Sequence, residues 1–393
     1  MRNVIGTPAR GKDFFQRKRE IDKIIKAIEE GANIQLAAPR RVGKTSILMH
    51  LLDNQPYDNH YLYLDTEAIS DTNDFFKKIY SEVIKSNCVS GSAKVIQQIK
   101  GAGNSFLKKI KGINISGTGL ELSETEDLDY YNELINLLNG IQLDKGKIIL
   151  MIDEFPYTIS NIIDKTKSND EAITFLQLNR SLRLDPNINL KIQFIYTGSI
   201  GLNTTVENLN ATALINDIMS IKVNPIKYDE GVELVSAILE YEEKNITIEN
   251  IDFLLKRIEW LTPFYIKLMI KEVIDLMEDD DEITIELIND SFQEIIDYRN
   301  NNYFEHYYSR LRGFFNGEEF DFIIEILNFI VNHNIIKKGD IYNIAIKYQI
   351  EKQYRSLIHT LIYDGYIHSE DSGESYRFNS PILKLWWKKY VAN

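Results

Sequence analysis

The chain has 393 residues, 44% of them hydrophobic and 26% charged, with a formal net charge of −13. That length suits about two to three domains with proper cores, and the acidic balance argues against bulk electrostatic binding of nucleic acid or anionic membrane. Cys88 is the single cysteine, which excludes a disulfide framework or a cysteine-based metal site.

The N-terminal residues carry no signal-like apolar region, and no uncharged apolar run approaches about 18 residues, so the cytoplasm is the expected compartment and no membrane is expected. Phe14-Phe15-Gln16-Arg17-Lys18-Arg19-Glu20-Ile21 comes first, and Ile21, Ile24, Ile25 and Ile28 then fall at helical spacing. The apolar run 34–37 reads as a buried strand, and 47–52 reads as a helix. Between them stands Ala38-Pro39-Arg40-Arg41-Val42-Gly43-Lys44-Thr45-Ser46. A strand, a tight loop, Gly-Lys-Thr and a helix wrap backbone N–H groups around phosphates. Lys44 then reaches the terminal phosphates, and the Thr45 hydroxyl can hold Mg²⁺. Residues 39–46 are therefore candidate nucleotide ligands. The first glycine of the usual pattern is Ala38 here, which a position needing small size tolerates and a position needing positive φ does not. The alternative is a chance Gly-Lys-Thr in a surface loop.

Further runs at 61–65, 148–152, 192–197 and 220–223 alternate with helical patterns, which predicts a parallel sheet flanked by helices. The run at 148–152 ends in Asp153-Glu154, at the strand end where open α/β sheets bind ligands. Asp153 is the candidate Mg²⁺ ligand, and Glu154 the candidate base that orients and deprotonates water. A plain strand with a polar exit is the alternative. Thr197 leads into Gly198-Ser199, making Ser199 a candidate for touching the γ-phosphate or the attacking water; a simple Gly-Ser turn explains the same residues. The stretch 88–125 reads as an insertion. Its alternating 112–122 suggests a projecting β-hairpin or ribbon, and its basic Lys108, Lys109 and Lys111 read as a solvated face, with contact to a phosphate backbone as the alternative.

From 228 to 299 strand signals vanish and helical spacing dominates, with a solvated acidic run at 279–281. Beyond 301 the pattern reads as a winged helix: helices near 320–327, 339–345 and 351–363, then strands near 364–368 and 375–378. Residues 318–393 hold ten acidic and nine basic side chains, fewer cations than a DNA-reading module usually presents.

Four elements together carry a family resemblance: Phe15-x-Arg17-x-x-Glu20-Ile21, the loop 39–46, Ile152-Asp153-Glu154-Phe155-Pro156 and Thr197-Gly198-Ser199. In these the chain resembles archaeal-type P-loop ATPases of the STAND group, relatives of the AAA+ fold. The resemblance implies an ASCE-type sheet with Glu154 as catalytic base, and Phe15 and Arg17 packed near the adenine. It also implies a helical lid whose Gly-x-Pro element touches the nucleotide; here Leu261 replaces the glycine and Pro263 is kept. Relatives often carry an arginine some twenty residues past the Gly-Ser turn, but no Lys or Arg lies between Gly198 and Ile221. Arg180 and Arg183 are the remaining candidates for an arginine finger; two solvated surface arginines are the alternative.

The expected architecture is an α/β P-loop core at 1–227, a helical lid at 228–300 and a mostly α winged-helix domain at 301–393. The expected activity is that of a slow ATPase using ATP and Mg²⁺, acting as a nucleotide-controlled switch in signalling, regulation or defence. Its winged helix would contact a protein partner or a second copy. The alternative is a DNA-associated ATPase gripping duplex with the winged helix. A third reading is a nucleotide-binding scaffold with negligible turnover.

Overall fold

The computed structural model describes residues 1–86, 128–198, 201–278, 282–315 and 317–392. The expected insertion at 88–125, Ser199 and the acidic run at 279–281 lie outside the described residues. Packing divides the chain into two compact units, and each draws on segments far apart in sequence.

One unit comprises Arg17–Ala37 and Ile47–Lys222. Helix α1 (Lys18–Glu29) buries Ile21, Ile24 and Ile28, the apolar face its spacing prescribes. Strands β1 (Asn33–Ala37), β2 (His60–Asp65), β3 (Ile148–Asp153), β4 (Ile192–Thr197) and β5 (Ile218–Lys222) form a sheet in the order β2-β3-β4-β1-β5. Every neighbouring pair is parallel. The chain thus leaves β1, builds the sheet inward from the far edge, and lays β4 between β3 and β1. Every residue of β3 and β4 is buried, as continuous apolar strands covered on both faces must be. Strand β5 starts earlier than its apolar run suggests, because pairing with β1 already begins at Asn33↔Ile218.

The covering helices include α2 (Lys44–Asn54), α3 (Thr72–Lys85), α4 (Tyr130–Gly140), α5 (Phe155–Thr166), α6 (Asn169–Leu184) and α7 (Leu202–Asn208). Aromatic rings fill the space under them. Phe75 meets Phe175 edge-on at 4.9 Å, and Phe155 lies 4.6 Å from Tyr196. Such pairs add to the area that these rings bury.

The other unit comprises Met1–Gln16, Ala38–Ser46 and Val223–Asn393. Helices α8 (Tyr228–Tyr241), α9 (Ile248–Ile258), α10 (Pro263–Leu276) and α11 (Ile285–Glu294) occupy the stretch where helical spacing dominates. Thr247, Thr262 and Thr284 cap the last three by accepting backbone N–H bonds. Then come α12 (Glu305–Phe314), α13 (Glu318–His333), β6 (Ile336–Lys337), α14 (Lys338–Lys347), α15 (Tyr354–Tyr363), β7 (Ile367–Glu370), β8 (Ser375–Phe378) and α16 (Pro381–Tyr390). The three short strands form an antiparallel sheet in the order β6-β8-β7. Neither α12 nor β6 is evident from periodicity: α12 is largely polar and aromatic, and β6 is two residues long.

Buried side chains from Ile226 to Trp387 make one continuous core. Trp386 and Trp387 are fully buried, with their indole N–H groups satisfied by Asn301 at 2.8 Å and Asn328 at 2.9 Å. The N-terminal segment is tied in as well. The Asn3 amide donates to the Lys267 carbonyl at 3.0 Å, and the Ala9 N–H donates to the Ser46 hydroxyl at 3.1 Å.

Candidate functional site

The loop between β1 and α2 takes its shape from two residues in the left-handed region. Arg41 has φ +67° and Gly43 has φ +99°. A Cβ built on Gly43 meets nothing within 4 Å, so the glycine is required for its dihedral and not for space. Ala38 is buried and is not among the positive-φ residues. Its extra methyl therefore carries no backbone strain, and the departure from the usual glycine is tolerated.

Lys44 opens α2 and is 7% exposed. Its ammonium donates to the Ala38 carbonyl at 2.8 Å and the Pro39 carbonyl at 2.9 Å. The cation is thus folded onto the loop that would cradle an anion. Thr45 and Ser46 occupy the first turn beside it, where backbone N–H groups point out of the helix. Arg41 turns toward the helices of its own unit. Its guanidinium lies 4.4 Å from the centroid of Phe264 and 5.9 Å from that of Tyr303, and burial lowers its pKa. Pro263 stands at the first position of α10, with Thr262 as N-cap, which is an ordinary place for proline. Its neighbour Phe264 is the residue that touches the loop.

At the carboxyl end of β3, Asp153 is buried at 3% exposure. One of its oxygens accepts the Tyr63 hydroxyl at 3.1 Å, and the other accepts the Glu154 N–H at 3.1 Å. Burial together with the Asp153 charge pushes the Tyr63 phenol far above its ordinary pKa, so it remains a donor. Glu154 has φ +57° at the N-cap of α5. That conformation costs a side-chain-bearing residue about 1–2 kcal/mol. The turn is held by Thr66, whose N–H and hydroxyl both donate to the Asp153 carbonyl, at 3.0 and 2.9 Å. Tyr63 and Thr66 are site residues that the motif reading missed; the register Asp65↔Asp153, which puts β2 alongside the carboxylates, is set by sheet topology and not by a local motif.

Strand β4 ends in Thr197, opposite Leu36 of β1. Its hydroxyl is buried and has no hydrogen-bond partner among the described residues, an unmet polar group at the carboxyl end of the sheet. Phe15 is half-buried against the core of its unit. Arg17 is 3% exposed and donates to Glu20 at 3.3 Å. The finger candidates are already engaged inside the sheet unit. Arg183 is fully buried, pairs with both oxygens of Asp217 at 2.7 and 2.9 Å, and donates to the Leu214 carbonyl. Arg180 donates to the Ala213 carbonyl and to Asn216. Of the two, α6 turns Arg183 into the core and leaves Arg180 partly exposed.

Thr45 in one unit and Asp153 in the other each carry a hard oxygen, and among the described residues no cluster of three metal-ligating side chains exists. A Mg²⁺ ion bound through one or two protein oxygens completes its shell with phosphate and water.

No protein-family model matches the chain, and no curated protein matches it in sequence. Among solved structures it is similar to the Walker-type ATPase of Pyrococcus abyssi, with TM-score 0.65 and 17% identity over 99% of this chain and 100% of that one. It is also similar to the ORC2 protein of Aeropyrum pernix in its ADPNP–ADP complexes, with TM-score 0.50 and 11% identity over 96% and 94% of the two chains. The fold is therefore the α/β P-loop ATPase fold with its five-stranded parallel sheet. Among the described residues, no helix is long and apolar enough to cross a membrane.

Proposed function

We propose that the protein binds MgATP and hydrolyses it slowly, as a nucleotide-controlled switch of the STAND type. The observation that carries this reading is the loop 38–46, with left-handed Gly43 ahead of a lysine at the start of α2 whose ammonium already caps two loop carbonyls. The similarity to a protein described as a Walker-type ATPase supports it. Lys44 and the backbone N–H groups of residues 39–46 hold the phosphates. Thr45 and Asp153 hold Mg²⁺, which when bound neutralises charge on the phosphates. Glu154, kept at the strand end by its turn, orients a water and takes its proton. Thr197, with its unpaired hydroxyl, and Ser199 are the candidates to steady that water or the terminal phosphate.

Slow turnover follows from the fate of the arginines. A finger is worth about 10³–10⁵ in rate, and both candidates on α6 serve the packing of their own unit. A protein partner or a second copy that donated such a group would make the switch responsive to assembly. In this reading the 301–393 region is a winged helix that contacts protein. Several of its cations are ion-paired: Arg377 with Glu370 at 2.6 Å and Glu259 at 3.0 Å, Lys347 with Glu325 at 2.5 Å, and Lys338 with Glu374 at 3.6 Å. A cation already paired to a carboxylate is less available to neutralise a phosphate and displace its counterion.

The test uses two variants of the full chain. Glu154→Gln is expected to bind ATP as the native protein does and to lose turnover, while Lys44→Ala loses binding. Hydrolysis at the native rate by Glu154→Gln removes Glu154 from the role of base.

A further inference from the structure

One carboxylate from the far end of the chain lies in a segment packed on the phosphate-type loop. Asp364 is the C-cap of α15 and is 3% exposed. Its Oδ1 lies 2.8 Å from Nη2 of Arg310 on α12, whose side chain is 4% exposed. Burial raises the pKa of this carboxylate, and the charges of Arg310 and then of Lys44 and Arg40 oppose that rise. The two flanking residues press on the loop. Gly365, with φ +84°, is packed so that a Cβ would lie 2.7 Å from Cβ of Pro39 and 2.5 Å from the Trp260 ring. Tyr363 is hydrogen-bonded to the backbone of Ala38.

Burying an ion costs several kcal/mol unless compensating charge is close. Here Arg310 supplies the close opposite charge, and two loop carbonyls accept from the Lys44 ammonium. Lys44 and Arg40 are cations that a phosphate chain would claim.

We infer that Asp364 is a built-in anion that occupies the electrostatic place of phosphate and must be displaced when a nucleoside triphosphate binds. The inference rests on the nucleotide-binding reading above and adds its regulation. A bound triphosphate brings like charge to a low-dielectric setting, where repulsion from Asp364 is strong. Asp364 cannot swing away alone, because Gly365 is wedged between Pro39 and Trp260. Residues 363–366 have to leave the loop together. Tyr366 is fully buried and donates its hydroxyl to the Tyr307 carbonyl at 2.7 Å, so the displacement reaches α12 directly. Nucleotide charge is thereby converted into a change in how the C-terminal region is held. The coupling equals the difference in nucleotide affinity between the two arrangements.

The experiment uses the full chain, a fluorescent ATP analogue with Mg²⁺, and hydrogen exchange. D364N keeps the size of the side chain and an oxygen for Arg310 while removing the charge. Its affinity for the analogue is expected to rise about tenfold, within the usual range of coupling between sites. In the native protein, exchange protection over residues 363–378 is expected to fall on saturation with MgATP. Equal or weaker binding by folded D364N, with the native protein binding normally, overturns the inference and leaves the nucleotide reading intact. Binding by D364N where the native protein binds nothing supports it in its strongest form. If neither binds, both readings fall. Should D364N fail to fold, the native exchange measurement decides alone, and unchanged protection over 363–378 overturns the inference.

Discussion

Glu154 and Gly365 show how differently two left-handed residues are used. Glu154 accepts strain at φ +57° to aim a carboxylate from the end of β3, whereas Gly365 takes φ +84° with no room for any side chain. Gly365→Ala is therefore expected to cost about 1–3 kcal/mol, from dihedral strain and overpacking together. Urea denaturation of the full chain measures it, and a cost below about 0.5 kcal/mol contradicts the packing described. His306, on α12, supplies a pH signature. Burial and the nearby guanidinium groups of Arg40, Arg41 and Arg310 depress its pKa from 6.5 to about 2, and its ring packs on Tyr307. Because the folded pKa is depressed, the unfolded chain binds the extra proton between those values, and stability falls as pH drops below 6.5. From pH 6.5 to 5 the loss from this residue is about 2 kcal/mol. His306→Gln is expected to remove that part of the slope in denaturation series at the two pH values, and an unchanged slope counts against it.

At the scale of elements, α6 depends on one ion pair. Asp217 holds the fully buried Arg183, so Asp217→Ala leaves an uncompensated charge and is expected to cost about 3–5 kcal/mol. Arg180→Ala, whose side chain is partly exposed, is expected to cost about 1 kcal/mol or less; chemical denaturation ranks the two, and equal costs contradict the assignment. The same helix marks where sequence reading stops. Strand β3 is legible because a strand buried on both faces shows a near-continuous apolar run, and the apolar run at 192–197 coincides with β4. The loop 38–46 is legible because glycine and lysine at fixed spacing answer to one geometry. Whether an arginine three residues along a helix faces solvent or core depends on a partner more than thirty positions away, and local pattern does not contain it. Tyr63 and Asp364 were missed for the same reason: each acts through a contact set by topology, on Asp153 in one case and Arg310 in the other. Helix α12 is largely polar and aromatic, so its single buried stripe does not stand out from its neighbours.

For the molecule as a whole, charge governs association. A net −13 chain, with Arg377, Lys347 and Lys338 already paired to carboxylates, is expected to bind duplex DNA negligibly even at about 50 mM salt, a condition that favours such binding. Fluorescence anisotropy with a labelled duplex measures this. Sub-micromolar, sequence-selective binding at about 150 mM salt would instead promote the DNA-associated reading.

The division of the chain into interleaved segments has a practical side for anyone cutting the gene. The backbone passes from one unit to the other after Gln16, Ala37, Ser46 and Lys222, so neither unit is a continuous stretch that a single pair of primers could excise. A product starting at Val223 would lack both Met1–Gln16 and Ala38–Ser46, including the Asn3 bond to Lys267 and the Pro39 wall against Gly365. Such a fragment would present raw, unmatched surface and is expected to be poorly soluble. Splitting the gene at residue 222 and co-producing both halves should recover soluble material, since the missing pieces would then arrive in trans.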